Sequence, residues 1–237
     1  MNKKIPFSVS LVVPLYNCKK IAISQLNICN KILKTICEDY EIIVSDDCST
    51  NGISGLLKEE FKNNVKFRLV FQKKNLGIAG NFQYLYKSAK KDFVMTFSAD
   101  GDYNPHDIRK ILMFCDRKKA DLVIGRRVKK GGYTFYRKLI SILFRLLPLL
   151  FFGVDTIDAG SIKLINRNIL PSTIISESVF MEAEIIITAK IKGYKVFSYP
   201  VSYKKQEKIS GAAGKFYLAL DAFIDLIKFR LNTNKII

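Results

Sequence analysis

The order of short β-rich runs and helical stretches constrains this chain more than any other feature of its sequence. Five runs have the length and composition of strands: FSVSLVVP, YEIIVSD, VKFRLVFQ, DFVMTFSA and ADLVIG. Between them lie four stretches with apolar residues at helical spacing: Lys19 to Cys37, Gly52 to Lys62, Gly77 to Lys90 and Pro105 to Arg117. This alternation predicts an α/β fold with a mostly parallel sheet flanked by helices on both faces.

Polar residues follow three of the predicted strands. The three segments are Pro14-Leu15-Tyr16-Asn17, Asp46-Asp47-Cys48-Ser49 and Asp100-Gly101-Asp102. Because ligands of open α/β sheets bind at the carboxyl ends of the strands, these loops are expected to meet at one rim. Asn75 and Gly77 are expected to shape the loop before a helix whose N-terminus points at a bound nucleotide. No G-x-G-x-x-G or P-loop pattern follows a strand, which disfavours those nucleotide-binding folds.

The pair Asp100 and Asp102 flanks a glycine at the end of an apolar strand. Two carboxylates so close repel each other unless a cation intervenes. Mg²⁺ or Mn²⁺ suits such a pair, because hard cations take oxygen ligands and complete their shell with water and phosphate oxygens. The alternative is a solvated turn, since Asp and Gly are common loop residues. The position opposite Asp46 and Asp47 favours a grip on the diphosphate of a nucleotide.

The charge balance predicts a polyanionic neighbour. The chain has 39 Lys and Arg against 21 Asp and Glu, a formal charge of +18. The segment from Arg117 to Arg145 alone carries ten basic residues and one acid. Nucleic acid, anionic lipid headgroups and a phosphorylated substrate are all compatible with this charge. No aromatic-rich RNP-like strand, zinc finger or recognition-helix pattern accompanies it, which disfavours nucleic acid.

Cysteine and histidine usage excludes several other sites. Five cysteines without C-x-x-C spacing indicate neither a disulfide framework nor a zinc site, and they fit a reducing cytoplasm. The single histidine, His106, follows Pro105 and is expected to start a helix. The apolar N-terminal segment lacks a small-residue cleavage site, so it is expected to be a strand and not a signal peptide.

Past residue 130 the pattern predicts helices. The apolar block from Leu139 to Val154 has 16 residues, includes Arg145 and Pro148, and is too short to span a bilayer, which takes about 20 residues. The final predicted helix, Lys215 to Leu231, places five apolar residues on one side: Phe216, Leu220, Phe223, Ile227 and Leu231. Both segments suit amphipathic helices in a membrane interface, beside anionic headgroups. Core packing or a homo-oligomer contact is the alternative.

Five segments in this order and spacing resemble the family 2 inverting glycosyltransferases of the GT-A fold: VSLVVPLYN, IIVSDDCST, NLGIAGNF, FSADGDYNP and ADLVIGRR. The resemblance covers nearly the whole chain. ADLVIGRRVKKGG, RKLIS and EIIITAKIKGYKV are most similar to the dolichyl-phosphate mannose synthase and bacterial polyprenyl-phosphate branch. That branch implies inverting transfer of a sugar from a UDP- or GDP-linked donor to a polyprenyl phosphate, at the cytoplasmic face of the membrane, without a spanning helix.

The resemblance also implies roles for particular residues. Base and ribose would be held by Pro14, Tyr16, Asn17, Asp46 and Asp47. Metal and diphosphate would be held by Asp100, Asp102 and Asn104, the last at a position where the branch usually has glutamine. The acceptor phosphate would be held by Arg127, Arg137 and Ser141, and catalysis would rest on Asp102, Arg127 and Arg137. Glu184 matches a recurrent glutamate of the acceptor half.

The sequence departs from the family pattern at two places. Cys18 stands where the family has a glutamate, and the C-terminal basic motif survives only as YKKQEKISGAAGK, in which Lys204, Lys205 or Lys208 would cover the diphosphate. The whole chain, 1–237, is expected to form one GT-A domain. Its parts are a nucleotide-sugar half (1–119), an acceptor half (120–205) and a C-terminal basic loop with an amphipathic helix (206–237).

Three other functions stay open from the sequence alone. The same fold can transfer sugar to a saccharide hydroxyl, which needs a general base; that base often lies ahead of a tryptophan-containing motif, and this chain has no tryptophan. A basic nucleic-acid-binding protein is more remote. A scaffold that binds nucleotide sugar without turnover is disfavoured by the presence of both Asp100 and Asp102.

Overall fold

The computed structural model describes residues 4–128, 135–170, 174–204 and 216–232, without the side chains of 135–141, 143 and 216–218. Seven strands form one sheet: β1 (Val9–Leu15), β2 (Tyr40–Asp46), β3 (Phe67–Phe71), β4 (Phe93–Thr96), β5 (Leu122–Arg127), β6 (Lys163–Asn166) and β7 (Val196–Val201). The helices are α1 (Ile21–Ile36), α2 (Ile53–Phe61), α3 (Gly77–Ser88), α4 (His106–Lys118), α5 (Phe135–Phe152), α6 (Met181–Ile191) and α7 (Phe216–Asn232).

The strand order is β3-β2-β1-β4-β6-β5-β7, and every neighbouring pair is parallel except those that involve β6. This confirms the predicted mostly parallel α/β sheet. The first five strands and four helices occur where the sequence predicts them, and α4 begins at His106 as expected. The expectation of helices alone past residue 130 was wrong, because β6 and β7 extend the sheet there.

Both faces of the sheet are covered, because the central strands present apolar residues on both sides. On β1, Leu11 and Val13 pack with α1 and α4, while Val12 packs on the opposite face with α3 and α6. A strand that is buried on both faces has a continuous apolar run in its sequence, without alternation of apolar and polar residues. The runs LVV in β1 and IIV in β2 have this continuous pattern. A third cluster joins α5, α6 and α7, with Phe180 and Phe229 buried in it.

Helix α7 packs with a side that the sequence did not single out. Its buried residues are Ala222, Asp225, Leu226 and Phe229. The Asp225 carboxylate accepts backbone N–H bonds from Glu177 and Ser178 at 2.9 and 2.7 Å, which ties α7 to the loop before α6. Of the predicted apolar side, Leu220, Phe223 and Leu231 are exposed, whereas Ile227 packs against the cluster of α5, α6 and α7.

Helices α5 and α7 contain the two apolar segments predicted to lie at a membrane interface. Within the described ranges, no helix has the length and hydropathy required to cross a bilayer.

Candidate active site

The carboxyl ends of β1, β2, β4, β5 and β7 lie at one edge of the sheet, because these strands run parallel and only β6 runs against them. The loops that follow them therefore meet at this edge, as the sequence predicts. The edge is called the acidic rim here, after the residues Asp46, Asp47, Asp100 and Asp102.

Hydrogen bonds hold the loops after β1 and β2 together. The Asn17 N–H donates to Ser49 Oγ at 2.7 Å, and Asn17 Oδ1 accepts from the Thr50 N–H at 2.8 Å. Asn17 adopts a left-handed backbone with φ 47°, which asparagine tolerates better than most residues. The neighbouring Tyr16 ring is 54% exposed at the end of β1, where a planar base has access to it. Pro14 lies in β1, two residues before Tyr16, and is paired with Ser45 of β2.

Asp46 and Asp47 are both buried at the end of β2 but have different partners. The Asp46 carboxylate accepts hydrogen bonds from the hydroxyls of Ser49 and Ser54, so it orders the loop and the start of α2. Asp47 Oδ1 accepts the Leu76 N–H at 2.7 Å, and burial raises the pKa of its carboxyl group. Both aspartates are thus buried and stabilise the loops of the acidic rim.

Asn75 and Gly77 connect the rim to the N-terminus of α3. The Asn75 side chain donates to the Asp47 carbonyl at 3.1 Å and accepts the Gly77 N–H at 2.9 Å. Gly77 has φ 69°, a left-handed conformation that glycine adopts without strain. Asn75 and Gly77 therefore shape the loop before α3, beside Asp47, and binding of a nucleotide there stays a prediction.

Asp100, Gly101 and Asp102 form a tight turn after β4. Gly101 has φ 89°, and the Asp102 N–H donates to Asp100 Oδ1 at 3.0 Å. This bond fixes the Asp100 side chain on the turn, next to the second carboxylate. Asp102 is 7% exposed, so most of its surface is covered by the protein.

The cover over Asp102 comes from the segment after β7. Tyr203 Oη donates to Asp102 Oδ2 at 3.3 Å, and the Lys204 N–H donates to the Asp102 carbonyl at 2.8 Å. A cleft of about 200 Å³ lies between the two segments. Its lining residues are Gly101, Asp102, Tyr103, Asn104, Ser202, Tyr203 and Lys204. Lys204 lies beside the acidic turn, whereas Lys205 and Lys208 fall outside the described residues.

The acidic turn fits a hard divalent cation. Within the described ranges, no three acidic, histidine or cysteine side chains cluster as a self-contained metal cage. Two carboxylates on one turn match a cation that takes its other oxygen ligands from phosphate and water. Asn104 is the third predicted ligand, and its Oδ1 accepts the His106 N–H at 3.0 Å, just before α4. Its role toward a metal stays a prediction.

Arg127 lies at the end of β5 and is held in place by Asp158. Its Nε and backbone N–H donate to Asp158 Oδ2 at 2.9 and 3.1 Å, and its Nη2 pairs with Oδ1. The guanidinium also lies over the Tyr203 ring, with its carbon 5.1 Å from the ring centroid. Arg127 is therefore rigidly placed at the same edge as the acidic turn.

The other predicted acceptor residues are only partly described. Arg137 and Ser141 lie in α5, four residues apart and so on one side of the helix, but their side chains fall outside the described set. Lys129 and Lys130 also lie outside it. Binding of the acceptor by Arg137 and Ser141 stays a prediction.

Glu184 is 1% exposed and serves the loop before α6. Its carboxylate accepts N–H bonds from Ile175 and Ser176, both at 2.9 Å, and the Ser176 hydroxyl at 2.5 Å. Burial raises the pKa of Glu184, and these three hydrogen bonds oppose that shift. Glu184 thus positions the loop, as Asp225 does at Glu177 and Ser178.

A buried charged cluster near α6 was missed at the sequence level. Lys163 Nζ lies 2.5 Å from Glu182 Oε2 and donates to the Ser161 carbonyl at 2.8 Å. Tyr86 donates from Oη to Glu182 Oε1 at 2.9 Å, and burial together with this carboxylate raises the pKa of Tyr86 well above its usual value. The one available signal was a lysine inside the apolar run SIKLI.

The sheet order and the acidic turn at its carboxyl edge define an α/β protein of the GT-A type. A model of glycosyl transferase family 2 matches residues 10–172, and the chain belongs to that family. The predicted family and fold are confirmed.

The chain is similar to two bacterial enzymes in sequence. It is 25% identical over 164 residues to dodecaprenyl-phosphate galacturonate synthase of Rhizobium johnstonii, covering 68% of this chain and 48% of the relative. It is 27% identical over 118 residues to poly(ribitol-phosphate) beta-N-acetylglucosaminyltransferase of Staphylococcus aureus, covering 48% of this chain and 20% of the relative. The chain thus spans half or less of these relatives.

The fold is similar to a solved structure of glucosyl-3-phosphoglycerate synthase from Mycobacterium tuberculosis, bound to Mn²⁺, UDP and phosphoglyceric acid. The TM-score is 0.71 at 14% identity, covering 95% of this chain and 79% of that one. Mannosyl-3-phosphoglycerate synthase from Rubrobacter xylanophilus gives a TM-score of 0.70 at 13% identity, covering 98% and 76%. At these identities the likeness establishes the fold alone.

Proposed function

We propose that the protein transfers a sugar from a nucleoside diphosphate donor to a polyprenyl phosphate at an anionic membrane surface, with inversion at the anomeric carbon. The observation that carries the donor half is the acidic turn of Asp100 and Asp102 beside the cleft under Tyr203 and Lys204. The relative from Rhizobium, named dodecaprenyl-phosphate galacturonate synthase, supports the acceptor class.

The donor would lie along the acidic rim. The exposed Tyr16 ring offers a stacking surface for the base, and Asn17 and Asp46 fix the loops on either side of it. Asp100 and Asp102 would hold Mg²⁺ or Mn²⁺, which when bound would neutralise charge on the diphosphate as it departs. Lys204 would add a second positive charge on that side of the cleft.

Two carboxylates of the acceptor half that could act as a general base are engaged by other groups. Glu182 is paired with Lys163, and Glu184 is engaged by the 175–176 loop. A hydroxyl acceptor needs a base to remove its proton, whereas a phosphate monoester is already ionised and needs cations to position it. Arg127, with the predicted partners Arg137 and Ser141, supplies such a site.

The exposed face of α5 and α7 supports a membrane location. Apolar residues on the outward sides of these helices, here called the apolar face, are Ile142, Leu146, Leu149, Leu150, Leu220, Phe223, Ile224 and Leu231. Arg145 and Arg230 lie on the same helices: Arg145 is four residues before Leu149 and pairs with Asp155, and the Arg230 guanidinium lies over the Phe152 ring. Apolar side chains bordered by cations suit an interface of acyl chains and anionic headgroups.

Transfer to a saccharide hydroxyl is the second candidate. Similarity to an enzyme named for poly(ribitol-phosphate) favours it, because that name describes a polymeric acceptor. Glu177, an exposed acid in the loop before α6, is the residue that such a reaction would use as a base. Glu177→Gln therefore tests the second candidate: the variant keeps activity if the acceptor is a phosphate, and loses it if the acceptor is a hydroxyl whose proton Glu177 removes.

The direct test uses purified protein, Mn²⁺ or Mg²⁺, a panel of labelled UDP- and GDP-sugars, and a short polyprenyl phosphate. Label that moves into the organic phase supports the proposal. Label that appears only in an added oligosaccharide favours the second candidate. Salt-dependent DNA binding without transfer to any acceptor would favour the nucleic-acid reading, and donor binding without turnover would favour a scaffold.

Arg137→Ala is expected to raise the KM for polyprenyl phosphate about tenfold or more, because a guanidinium binds phosphate through two charge-assisted hydrogen bonds. The KM for the nucleotide sugar should stay unchanged. Steady-state kinetics with each substrate varied in turn measure both values. Lys138→Ala, which removes the adjacent positive charge, is the matched control. An unchanged acceptor KM in Arg137→Ala would remove this residue from the proposed site.

The paired substitution Leu150→Ser with Phe223→Ser is expected to weaken binding to vesicles with anionic lipid at least about tenfold, because each side chain loses apolar contact with the acyl region. Vesicle sedimentation measures it. The control pairs Val65→Ser with Met113→Ser, which are exposed apolar residues away from α5 and α7. If the Leu150/Phe223 variant instead turns a dimer into monomers and binds vesicles normally, the apolar face is a homo-oligomer contact.

A further inference from the structure

Tyr203 contacts both halves of the candidate site, and nothing in the sequence marked it. It follows β7 and faces the turn after β4, where Tyr103 and Tyr203 form an antiparallel backbone bridge. Their rings meet edge to face with centroids 5.2 Å apart. This arrangement fixes the Tyr203 ring over the cleft beside Asp102.

The two ends of the Tyr203 side chain reach different groups. Its hydroxyl donates to Asp102 Oδ2 at 3.3 Å. The Arg127 guanidinium lies over the face of its ring, with the guanidinium carbon 5.1 Å from the ring centroid, and the same guanidinium donates to Asp158. One side chain therefore touches a carboxylate of the proposed donor site and a cation of the proposed acceptor site.

The hydroxyl and the ring have separable effects. A hydrogen bond to one oxygen of Asp102 restricts the rotation of that carboxylate and so favours one orientation toward a bound cation. A ring under a guanidinium holds the plane of Arg127 by cation–π attraction. Loss of the hydroxyl alone leaves the second effect intact, and loss of the ring removes both.

We propose that Tyr203 is a positioning residue that couples the donor and acceptor halves: its hydroxyl orients Asp102 for the divalent cation, and its ring orients Arg127 for the acceptor anion. The inference rests on the proposed donor chemistry. The part that concerns Asp102 does not depend on which acceptor is used.

The test measures Mn²⁺ binding by electron paramagnetic resonance in the presence of UDP, on the full chain, for wild type, Tyr203→Phe and Tyr203→Leu. Tyr203→Phe is expected to weaken Mn²⁺ binding about tenfold, the lower range for a group that orients a metal ligand. Its KM for polyprenyl phosphate should stay unchanged, because the ring remains. Tyr203→Leu is expected to weaken Mn²⁺ binding equally and also to raise the acceptor KM.

Tyr199→Phe is the matched control, because Tyr199 lies on β7, four residues before Tyr203, but its ring packs against Phe114, away from Asp102. Circular dichroism at the assay temperature verifies that each variant is folded. If wild type binds Mn²⁺ with UDP and Tyr203→Phe binds it equally well, the inference is overturned while the proposed function stands. If wild type binds no Mn²⁺ with UDP, the donor chemistry fails, and the inference fails with it.

Discussion

Asp102→Asn is expected to lower the rate of sugar transfer by about two to three orders of magnitude, the range for removing one group that stabilises charge in a transition state. Asparagine has nearly the shape of aspartate and keeps an oxygen that can accept from Tyr203, so the turn and the cleft should persist. The substitution removes only the negative charge that a divalent cation requires. The same loss is expected for Asp102→Ala.

Initial rates at saturating donor and acceptor measure this effect, and circular dichroism with thermal melting verifies the fold. Asp116→Asn is the matched control, because Asp116 is an acid on α4 whose partner is Lys119, at 2.7 Å on the surface. A variant Asp102→Asn that is folded and transfers sugar within about threefold of wild type would refute the proposed role of the acidic turn.

Lys163→Met is expected to lower the free energy of unfolding by about 3–5 kcal/mol, the cost of leaving one partner of a buried ion pair without its counter-charge. Lys163 is 1% exposed and Glu182 is 8% exposed, so water has little access to the Glu182 carboxylate. Tyr86 would remain as its hydrogen-bond donor, but a neutral hydroxyl does not balance the charge. Urea denaturation followed by circular dichroism measures the change.

The double substitution Lys163→Met with Glu182→Leu separates charge from packing. Because apolar residues often replace a buried ion pair at little cost, the double variant should regain most of the lost stability. If it is as unstable as the single variant, the loss comes from packing of the lysine stem. Lys62→Met, at the surface pair with Glu59, should change stability by less than about 0.5 kcal/mol. Sugar transfer by the folded double variant would also show that Glu182 is not the base.

The first half of the fold follows from local sequence. Strands β1 and β2 contain the apolar runs LVV and IIV, so their composition, their length and their turn residues identify them without tertiary information. The polar residues at their ends identify the rim, because parallel strands put all their carboxyl ends on one edge. For the same reason, the meeting of the Asn17, Asp47 and Gly77 loops was predictable.

The second half depends on tertiary contacts that local patterns do not carry. Strand β6 has four residues and begins with Lys163, whose burial is possible because Glu182 arrives from α6. Strand β7 contains Pro200, which a sheet accepts at its edge, where β7 lies. In α7, hydrophobicity alone identified the outward apolar residues but not the packing side, because Asp225 is buried and accepts hydrogen bonds from backbone N–H groups of another loop.

The candidate site divides in the same way. Asp100 and Asp102 were identifiable from spacing and position. The partners Asp158 and Tyr203 were not identifiable, because they are distant in sequence from the groups that they contact. Asp158 lies 31 residues from Arg127, and Tyr203 lies 101 residues from Asp102. A single sequence gives no measure of such pairings.

The placement of β6 has a consequence for the order in which the chain assembles during synthesis. Strand β5 carries Arg127, but both of its neighbours in the sheet, β6 and β7, come later in the sequence. The strands β1 to β4 can pair as soon as they emerge from the ribosome. Strand β5 cannot join them until residues 163–166 have been made, because these form β6, which lies between β4 and β5. The half that carries the acidic turn is thus completed before the half that carries the arginine.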